Sequence, residues 1–293
     1  MFSSVKLSLT SKLISNIKLK LNPMNIIKMN SSSMSPDTMK ENKINVNGID
    51  INYIKTGSGS HPVLLLPGAL GSSLTDFKPQ LQGLDKKNLT IIAWDPPGYG
   101  KSIPPSRKFG DDFFYKDAIN ANDLMKKLGY NNYSLVGWSD GGITGLIIAA
   151  SNRNSIKKLV VFGANSYILP QEVKIYESIR NINSWSERMK APMIAMYGED
   201  YFRKTWSLWV DAMINIYKKN NGDICRNLIN KITCPTLIVH GNKDVMVDPE
   251  HPVYLHNCIS NSKLKYFEKG AHNLHLKYHE EFNQLVTNFL LEN

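Results

Sequence analysis

Short apolar runs that stop at proline or glycine recur along this 293-residue chain and alternate with helical patterns. A strand that is apolar on both faces has to be covered on both, which a parallel sheet packed between helices provides. Helical spacing of apolar residues is clear in 114–129 and 141–153. The alternation predicts the α/β class, with a mostly parallel, doubly wound sheet whose strands fall in 63–68, 90–98, 133–138, 156–164, 235–241 and 263–270.

Two segments depart from this alternation. Residues 44–55 alternate apolar and polar side chains around Asn47-Gly48, a dipeptide typical of a hairpin turn. Residues 166–231 contain no convincing strand, but they contain helical stretches and Trp185, Trp206 and Trp209, three of the five tryptophans. We interpret this segment as a helical lid inserted into a core formed by 44–165 and 232–293. The lid is expected over the carboxyl ends of the strands, where open α/β sheets bind ligands.

A leader rich in lysine and serine, residues 1–43, precedes this core. Its first 36 residues contain five lysines and no acid, which is half of the net charge of +10. Apolar residues recur every four positions from Val5 to Leu21, which predicts a cationic amphipathic helix like those of mitochondrial transit peptides. The alternative is a disordered tail upstream of an internal start such as Met24 or Met39, in a cytoplasmic protein.

Composition excludes several classes of function. No apolar run approaches the roughly 18 residues of a membrane-spanning helix, so no membrane partner is expected. Half of the basic excess lies in the leader without a basic-aromatic motif, so we expect no nucleic-acid partner. Cys225, Cys234 and Cys258 lack the short spacings of a zinc site and are interpreted as reduced thiols. We expect a monomer without metal or cofactor that acts on a small-molecule substrate.

The sequence Gly137-Trp138-Ser139-Asp140-Gly141 lies between a predicted strand and a predicted helix. A G-x-S-x-G motif in that setting is typical of a nucleophile elbow, in which the serine occupies a sharp, strained turn. Glycine is needed on both sides because side chains there would collide with the crossing backbone. Ser139 is therefore the candidate nucleophile.

A serine nucleophile needs a histidine to take its proton and an acid to orient that histidine, and in hydrolases of this type they follow in the order Ser, acid, His. Asp244 lies three residues past a predicted strand, where the orienting acid is wanted. Asp248 precedes Pro249 and resembles a helix N-cap. His272 directly follows the end of the last predicted strand, whereas His275 and His279 lie in or near the terminal helix. We select Asp244 and His272.

Two backbone N–H groups are expected to stabilise the negative charge that develops on the substrate oxygen. One belongs to Asp140, the residue after the nucleophile, and the other lies in the loop after the strand at 63–68. Leu70 or Ala69 would supply it, and the residues alone leave both open.

Five stretches together carry a resemblance: "LPGALGS", "AWDPPGYGKS", "GWSDGGITGL", "IVHGNKD" and "GAHNLHLKYHEEF". From residue 44 onward the chain resembles the biphenyl hydrolase-like, or valacyclovir hydrolase, family of the α/β-hydrolase fold. The resemblance implies a serine esterase of α-amino acid esters with the triad Ser139, Asp244 and His272. It favours Leu70 over Ala69 as the first oxyanion donor. It also implies that Asp140 binds the substrate's α-amino group.

The resemblance has two departures and one further implication. Pro67 stands where many α/β-hydrolases have histidine, in agreement with the nearer relatives. Pro97 stands where relatives usually have arginine, which removes a cation and leaves the local loop geometry and the substrate range open. Family members are mitochondrial, in keeping with the interpretation of the leader.

Asp140 is an unusual neighbour for a serine nucleophile, because its carboxylate repels the negative charge formed in acyl transfer. A substrate ammonium group next to the scissile carbonyl gives it a reason, since charge pairing is strong where water is excluded. The alternative is an acid that opens the following helix and is favoured by the helix dipole.

Other functions fit the same scaffold. A C–C bond hydrolase uses a similar triad, but its acidic substrates would be repelled by Asp140. A general carboxylesterase would not need Asp140 at all. A non-enzymatic ligand-binding protein is disfavoured because all three triad members are present.

Overall fold

The structure, a computed structural model, describes residues 39–292. In that range one sheet contains, in chain order, β1 (Glu41–Val46), β2 (Ile49–Thr56), β3 (His61–Leu66), β4 (Leu89–Trp94), β5 (Tyr133–Trp138), β6 (Ile156–Phe162), β7 (Thr236–Gly241) and β8 (Ser262–Phe267). The α-helices of the same range are α1 (Ser73–Gly83), α2 (Phe113–Lys127), α3 (Asp140–Ser151), α4 (Pro170–Ser178), α5 (Glu187–Tyr197), α6 (Glu199–Asn220), α7 (Glu250–Cys258), α8 (Leu274–Lys277) and α9 (His279–Leu291).

The sheet has the order β1-β2-β4-β3-β5-β6-β7-β8. The β1–β2 and β2–β4 pairs are antiparallel, and every later pair is parallel. The predicted α/β class with a mostly parallel sheet is confirmed. Strand β3 lies between β4 and β5, so the chain winds in opposite directions on its two sides. The loops after β3 and β5 therefore meet at a switch point, where open α/β sheets bind ligands.

Strand β3 shows why these segments are apolar throughout. Leu64 and Leu66 face one buried cluster, which includes residues of α2 and α3, while Val63 and Leu65 face another, which includes residues of α1 and α9. Side chains alternate along a strand, so a strand that is covered on both faces is apolar along most of its length.

The amino-terminal hairpin forms where the sequence predicts it, with Asn47 and Gly48 in the turn at φ values of 51° and 83°. Strand β1 begins at Glu41, so the sheet starts inside the segment that we assigned to the leader, 1–43. Residues 1–38 of that segment lie outside the described residues, and the transit peptide stays a prediction.

Helices α4, α5 and α6 and the 3₁₀ segments Ile182–Ser184 and Arg226–Lys231 lie between β6 and β7. They fall within residues 166–231, which we continue to call the lid. Its tryptophans pack on one another: the rings of Trp185 and Trp206 meet edge to face at 4.8 Å, and those of Trp206 and Trp209 stack at 4.8 Å. Helix α6 is 22 residues long. No helix in the described part of the chain combines the length and apolarity needed to cross a membrane.

Strand β5 passes into α3 through Ser139, whose φ of 52° and ψ of −121° are strained for a residue with a side chain. The two backbones nearly touch here. A Cβ atom at Gly137 would lie 2.4 Å from the carbonyl oxygen of Gly141, and one at Gly141 would lie 2.0 Å from that of Leu66. Both glycines are therefore required for the turn that lifts Ser139 above the sheet.

We expect Gly141→Ala to destabilise the protein by about 1–3 kcal/mol, because a methyl group there overlaps backbone atoms that cannot move aside. Gly145→Ala is the matched control on the same helix. Its added methyl would lie 3.4 Å from the nearest side chains, an ordinary contact, so the variant should be neutral or more stable. Urea unfolding of both variants provides the measurement. Equal free energies of unfolding for the two variants would contradict the close approach of α3 to the end of β3.

Candidate active site

The structure brings together three side chains from three strand ends. His272 Nε2 lies 3.1 Å from Ser139 Oγ, and His272 Nδ1 lies 2.9 Å from Asp244 Oδ2. Ser139 follows β5, Asp244 follows β7, and His272 follows β8. Because these strands are parallel, their carboxyl ends meet at one edge of the sheet, which places residues separated by 133 positions in contact.

Asp244 is held as a carboxylate. Its side chain is buried. Burial raises the pKa of its carboxyl, but the neighbouring His272 and the Met246 N–H outweigh burial and hold the pKa below its ordinary value of 3.8. Oδ1 accepts hydrogen bonds from Met246 N–H at 2.8 Å and Val247 N–H at 3.1 Å, which leaves Oδ2 directed at the imidazole.

The other candidates of the sequence lie elsewhere. Asp248 is partly buried and accepts hydrogen bonds from Glu250 N–H at 2.9 Å and from Gln171 Nε2 at 2.9 Å, so it fixes the start of α7. His275 is buried against Trp138 and Phe162, and burial lowers its pKa to about 3, so its ring is neutral. His279 is the first residue of α9.

The loop after β3 carries Leu70, a buried residue with a φ of 54°. Two contacts fix the loop's course: Gly68 N–H donates to Asp76 Oδ2 at 2.9 Å, and Gly71 N–H donates to Gly68 O at 3.0 Å. A Cβ atom at Gly68 would lie 3.4 Å from Ser139 Cβ, so the loop passes directly beside the serine. Sequence reasoning missed Asp76, which resembles an ordinary acid in the first turn of a helix.

Asp140 is buried, with 8% of its surface exposed, and the lid fixes its orientation. Trp209 Nε1 donates to Asp140 Oδ2 at 2.8 Å. Burial raises the pKa of Asp140 to about 7, although the bond from Trp209 and the charge of Arg107 oppose that change. Sequence reasoning missed Trp209, since its only signal was the abundance of tryptophan in the lid.

A buried cation lies in the loop that follows β4. The Arg107 guanidinium binds Asp117 through two hydrogen bonds of 2.8 and 2.5 Å, and Nη1 also donates to Pro97 O at 3.0 Å. Its Cζ atom lies 4.4 Å from the centre of the Tyr99 ring. The loop with Pro97 in place of the usual arginine therefore contains a cation after all, supplied by Arg107.

The cysteines between residues 39 and 292 are free thiols. Cys225 and Cys234 are buried free thiols whose pKa values burial raises, the second to about 11. Between residues 39 and 292, no cluster of three or more histidine, cysteine or acidic side chains has a geometry that could hold a metal ion.

Comparison with known proteins identifies the family. Residues 61–179 match the α/β hydrolase fold family. The chain is 50% identical to serine hydrolase BPHL of Homo sapiens over 248 residues, which are 85% of this chain and 85% of the human protein. The chain belongs to the α/β-hydrolase family. Within that family it belongs to the biphenyl hydrolase-like serine hydrolases, and it is itself a hydrolase.

More distant α/β-hydrolases share the architecture. The chain is 23% identical to 2-hydroxy-6-oxo-6-(2'-aminophenyl)hexa-2,4-dienoic acid hydrolase of Metapseudomonas resinovorans, covering 88% of this chain and 93% of that protein. A solved structure, the meta-cleavage product hydrolase of Pseudomonas fluorescens IP01, superposes with a TM-score of 0.71 at 19% identity, covering 85% and 96% of the two chains. At that identity the likeness shows the fold alone.

Burial of Asp140 has a consequence for the stability of this hydrolase. Its folded-state pKa is raised from 3.8 to about 7, so the folded protein holds the proton more tightly, and the resulting stabilisation is lost as pH rises through that window. Asp140→Asn removes the group that titrates. We therefore expect this variant to gain in melting temperature relative to the wild type between about pH 5 and about pH 8. Calorimetry at both pH values measures this gain. A difference in melting temperature between the variant and the wild type that stays constant with pH would contradict the prediction.

Proposed function

We propose that the protein hydrolyses esters of α-amino acids through an acyl-enzyme intermediate on Ser139. The observation that carries the proposal is the buried carboxylate of Asp140, next to the serine in sequence and held by Trp209. A buried carboxylate with a raised pKa is unfavourable unless a cation pairs with it. The α-ammonium group of an amino acid ester is such a cation, and it lies two bonds from the carbonyl carbon that is attacked.

Acylation begins when Ser139 Oγ attacks the ester carbonyl and its proton passes to His272 Nε2, 3.1 Å away. Asp244 accepts the Nδ1 proton, which leaves Nε2 free as the base, and it stabilises the imidazolium that forms. The backbone N–H groups of Leu70 and Asp140 bind the oxyanion. As the tetrahedral intermediate collapses, His272 returns the proton to the leaving alcohol.

Deacylation repeats these steps with water. His272 takes a proton from the water, whose oxygen attacks the acyl carbon, and the second collapse releases the amino acid and restores Ser139. No cofactor is required, since every proton moves between Ser139, the substrate, the water and His272.

Recognition of the ammonium group rests on the free oxygen of Asp140. Oδ2 is bound to Trp209, while Oδ1 accepts no hydrogen bond from any residue between 39 and 292. An ammonium group that donates to Oδ1 gives this oxygen its hydrogen-bond partner. The positive charge also neutralises the carboxylate before negative charge develops on the neighbouring oxyanion. The pairing is strong because water has little access to this carboxylate.

Two other activities on this fold are less well supported. The hydrolase of a dienoic acid among the relatives acts on an anion, and the carboxylate of Asp140 would repel an anion. A general carboxylesterase would gain nothing from a buried charge beside its oxyanion donor. A panel of p-nitrophenyl esters with and without an α-amino group, together with a ring-cleavage dienoate, separates all three activities.

The orienting role of Asp244 generates one prediction. Asp244→Asn should lower kcat by about 10³–10⁴-fold, because an amide stabilises the wrong histidine tautomer. Asp248→Asn, in the same loop, is the control and should keep kcat within about twofold, since asparagine also accepts the capping hydrogen bond. Steady-state kinetics on an α-amino ester measures both. Similar losses in the two variants would contradict the assignment of Asp244.

Asp140→Asn tests the substrate class. The variant keeps the backbone N–H and can still accept from Trp209, so it removes little except the charge. We expect kcat/KM for an α-amino ester to fall by roughly tenfold to a hundredfold, the usual range for a charge-assisted hydrogen bond. The matching ester without the amino group should be unaffected or hydrolysed faster. An equal loss for both esters would make Asp140 a structural acid and contradict the proposed substrate.

The pH dependence gives an internal check on the same variant. In the wild type the ratio of kcat/KM for the two esters should rise as pH increases towards about 7, because Asp140 must lose its proton to bind the ammonium. Titration of His272 affects both esters and cancels in the ratio. In Asp140→Asn the ratio should be flat over the same range.

A further inference from the structure

The corner between α5 and α6 carries two tyrosines that face the loops of the sheet. Tyr197 ends α5 and Tyr201 lies in the first turn of α6, and their rings stack with centres 5.7 Å apart. Gly198 between the helices has a φ of 71° and a ψ of 156°, a conformation that is open to glycine and strained for other residues.

Each tyrosine hydroxyl joins two backbone groups. Tyr197 donates to Leu70 O at 2.6 Å and accepts from Gly100 N–H at 2.8 Å. Tyr201 donates to Gly98 O at 2.8 Å and accepts from Arg107 N–H at 3.0 Å. The two contacts are chemically alike, but they differ in position. Only Tyr197 reaches the loop that passes beside Ser139.

Leu70 needs such a contact. Its φ of 54° is costly for a residue with a side chain, and such conformations persist only where the surroundings impose them. The Cα atom of Leu70 links the peptide that bears its N–H group to the peptide that bears its C=O group. A hydrogen bond that fixes the carbonyl therefore limits the directions in which the N–H group can point.

The lid thus contacts both residues proposed to bind the oxyanion. Tyr197 holds the carbonyl of Leu70, and Trp209, farther along α6, holds the side chain of Asp140. Helix α5, by contrast, has no fully buried side chain, although Met193, Ile194 and Tyr197 are partly buried against the core. Few buried contacts mean a low cost of local movement, so we expect α5 to move more readily than α6, which has eight buried residues.

We propose that Tyr197 is a positioning residue that sets the oxyanion hole: its hydroxyl holds Leu70 in the left-handed conformation in which the N–H group faces the substrate oxygen. The inference rests on the proposed serine mechanism. When the corner between α5 and α6 is docked, the hole is complete. When the Tyr197 hydroxyl leaves this position, Leu70 loses its restraint and the hole loses one donor, so the lid contributes to transition-state stabilisation.

Tyr197→Phe and Tyr201→Phe form the matched test. Each removes one hydroxyl and leaves one carbonyl and one N–H group without that partner, so their losses in melting temperature should be similar. Only Tyr197→Phe should lower kcat, by about tenfold to a hundredfold, which is less than the ~10²–10³-fold expected for deleting an oxyanion donor. KM should change by less than about twofold, because the ground-state ester does not depend on the hole.

Two further readouts report on the oxyanion directly. The rate of Ser139 labelling by a fluorophosphonate and the affinity of a trifluoromethyl ketone both depend on charge in the hole and need no amino group. Both should fall with kcat in Tyr197→Phe and stay near the wild-type value in Tyr201→Phe. If Tyr197→Phe does not fold, Gly198→Ala strains the same corner while keeping both hydroxyls, and its methyl meets no atom within 4 Å. It should lower kcat and labelling in the same way.

Ser139→Ala separates the two levels of the proposal. If this variant keeps its esterase activity and its labelling, the serine mechanism fails and the role of Tyr197 with it. If Ser139→Ala is inactive but Tyr197→Phe is labelled at the wild-type rate, the positioning role alone fails. Equal losses of kcat and of labelling rate in Tyr197→Phe and Tyr201→Phe also overturn it, since they would indicate general loosening of the lid.

Discussion

The approach of α3 to the end of β3 is the contact on which the site depends. At Gly141 the helix comes so near the carbonyl of Leu66 that no side chain fits between them. This proximity forces the turn at Ser139 and brings the loop of Leu70 beside it. A larger separation would relax the strained φ of Ser139, but it would also move the serine away from His272 and the first peptide of α3 away from Leu70. The strained backbone of Ser139 is therefore what allows the serine, His272 and the loop of Leu70 to lie together.

Much of this arrangement could be predicted from the sequence because it depends on strand ends. Ser139, Asp244 and His272 each come one to three residues after a predicted strand, and parallel strands bring such positions together whatever the intervening chain does. The fold class was predictable because short apolar runs alternate with helical patterns along the chain. The start of β1 was not, because Glu41 and its neighbours are polar and only the pairing with β2 makes them a strand.

The contacts that could not be predicted come from the lid and from helix surfaces. Trp209 meets Asp140 across 69 positions and Tyr197 meets Leu70 across 127, with no periodic pattern to relate them. Asp76 holds Gly68 from the first turn of α1, where an acid is already favoured by the helix dipole. Arg107 donates to the carbonyl oxygen of Pro97, which lies ten positions upstream in the same loop. These residues act through space, and local sequence carries no record of that.

The distribution of tryptophan gives this protein a built-in optical reporter. Trp206 is in ring contact with both Trp185 and Trp209 in the lid, and Trp209 donates to Asp140, whose pKa burial raises to about 7. Trp138 donates to the carbonyl of His272 at 2.8 Å. Four of the five indoles therefore lie in or against the lid and the triad. We therefore expect the intrinsic fluorescence of the unlabelled enzyme to be weighted towards the lid and the triad, and to respond to protonation of Asp140 through the indole bound to it.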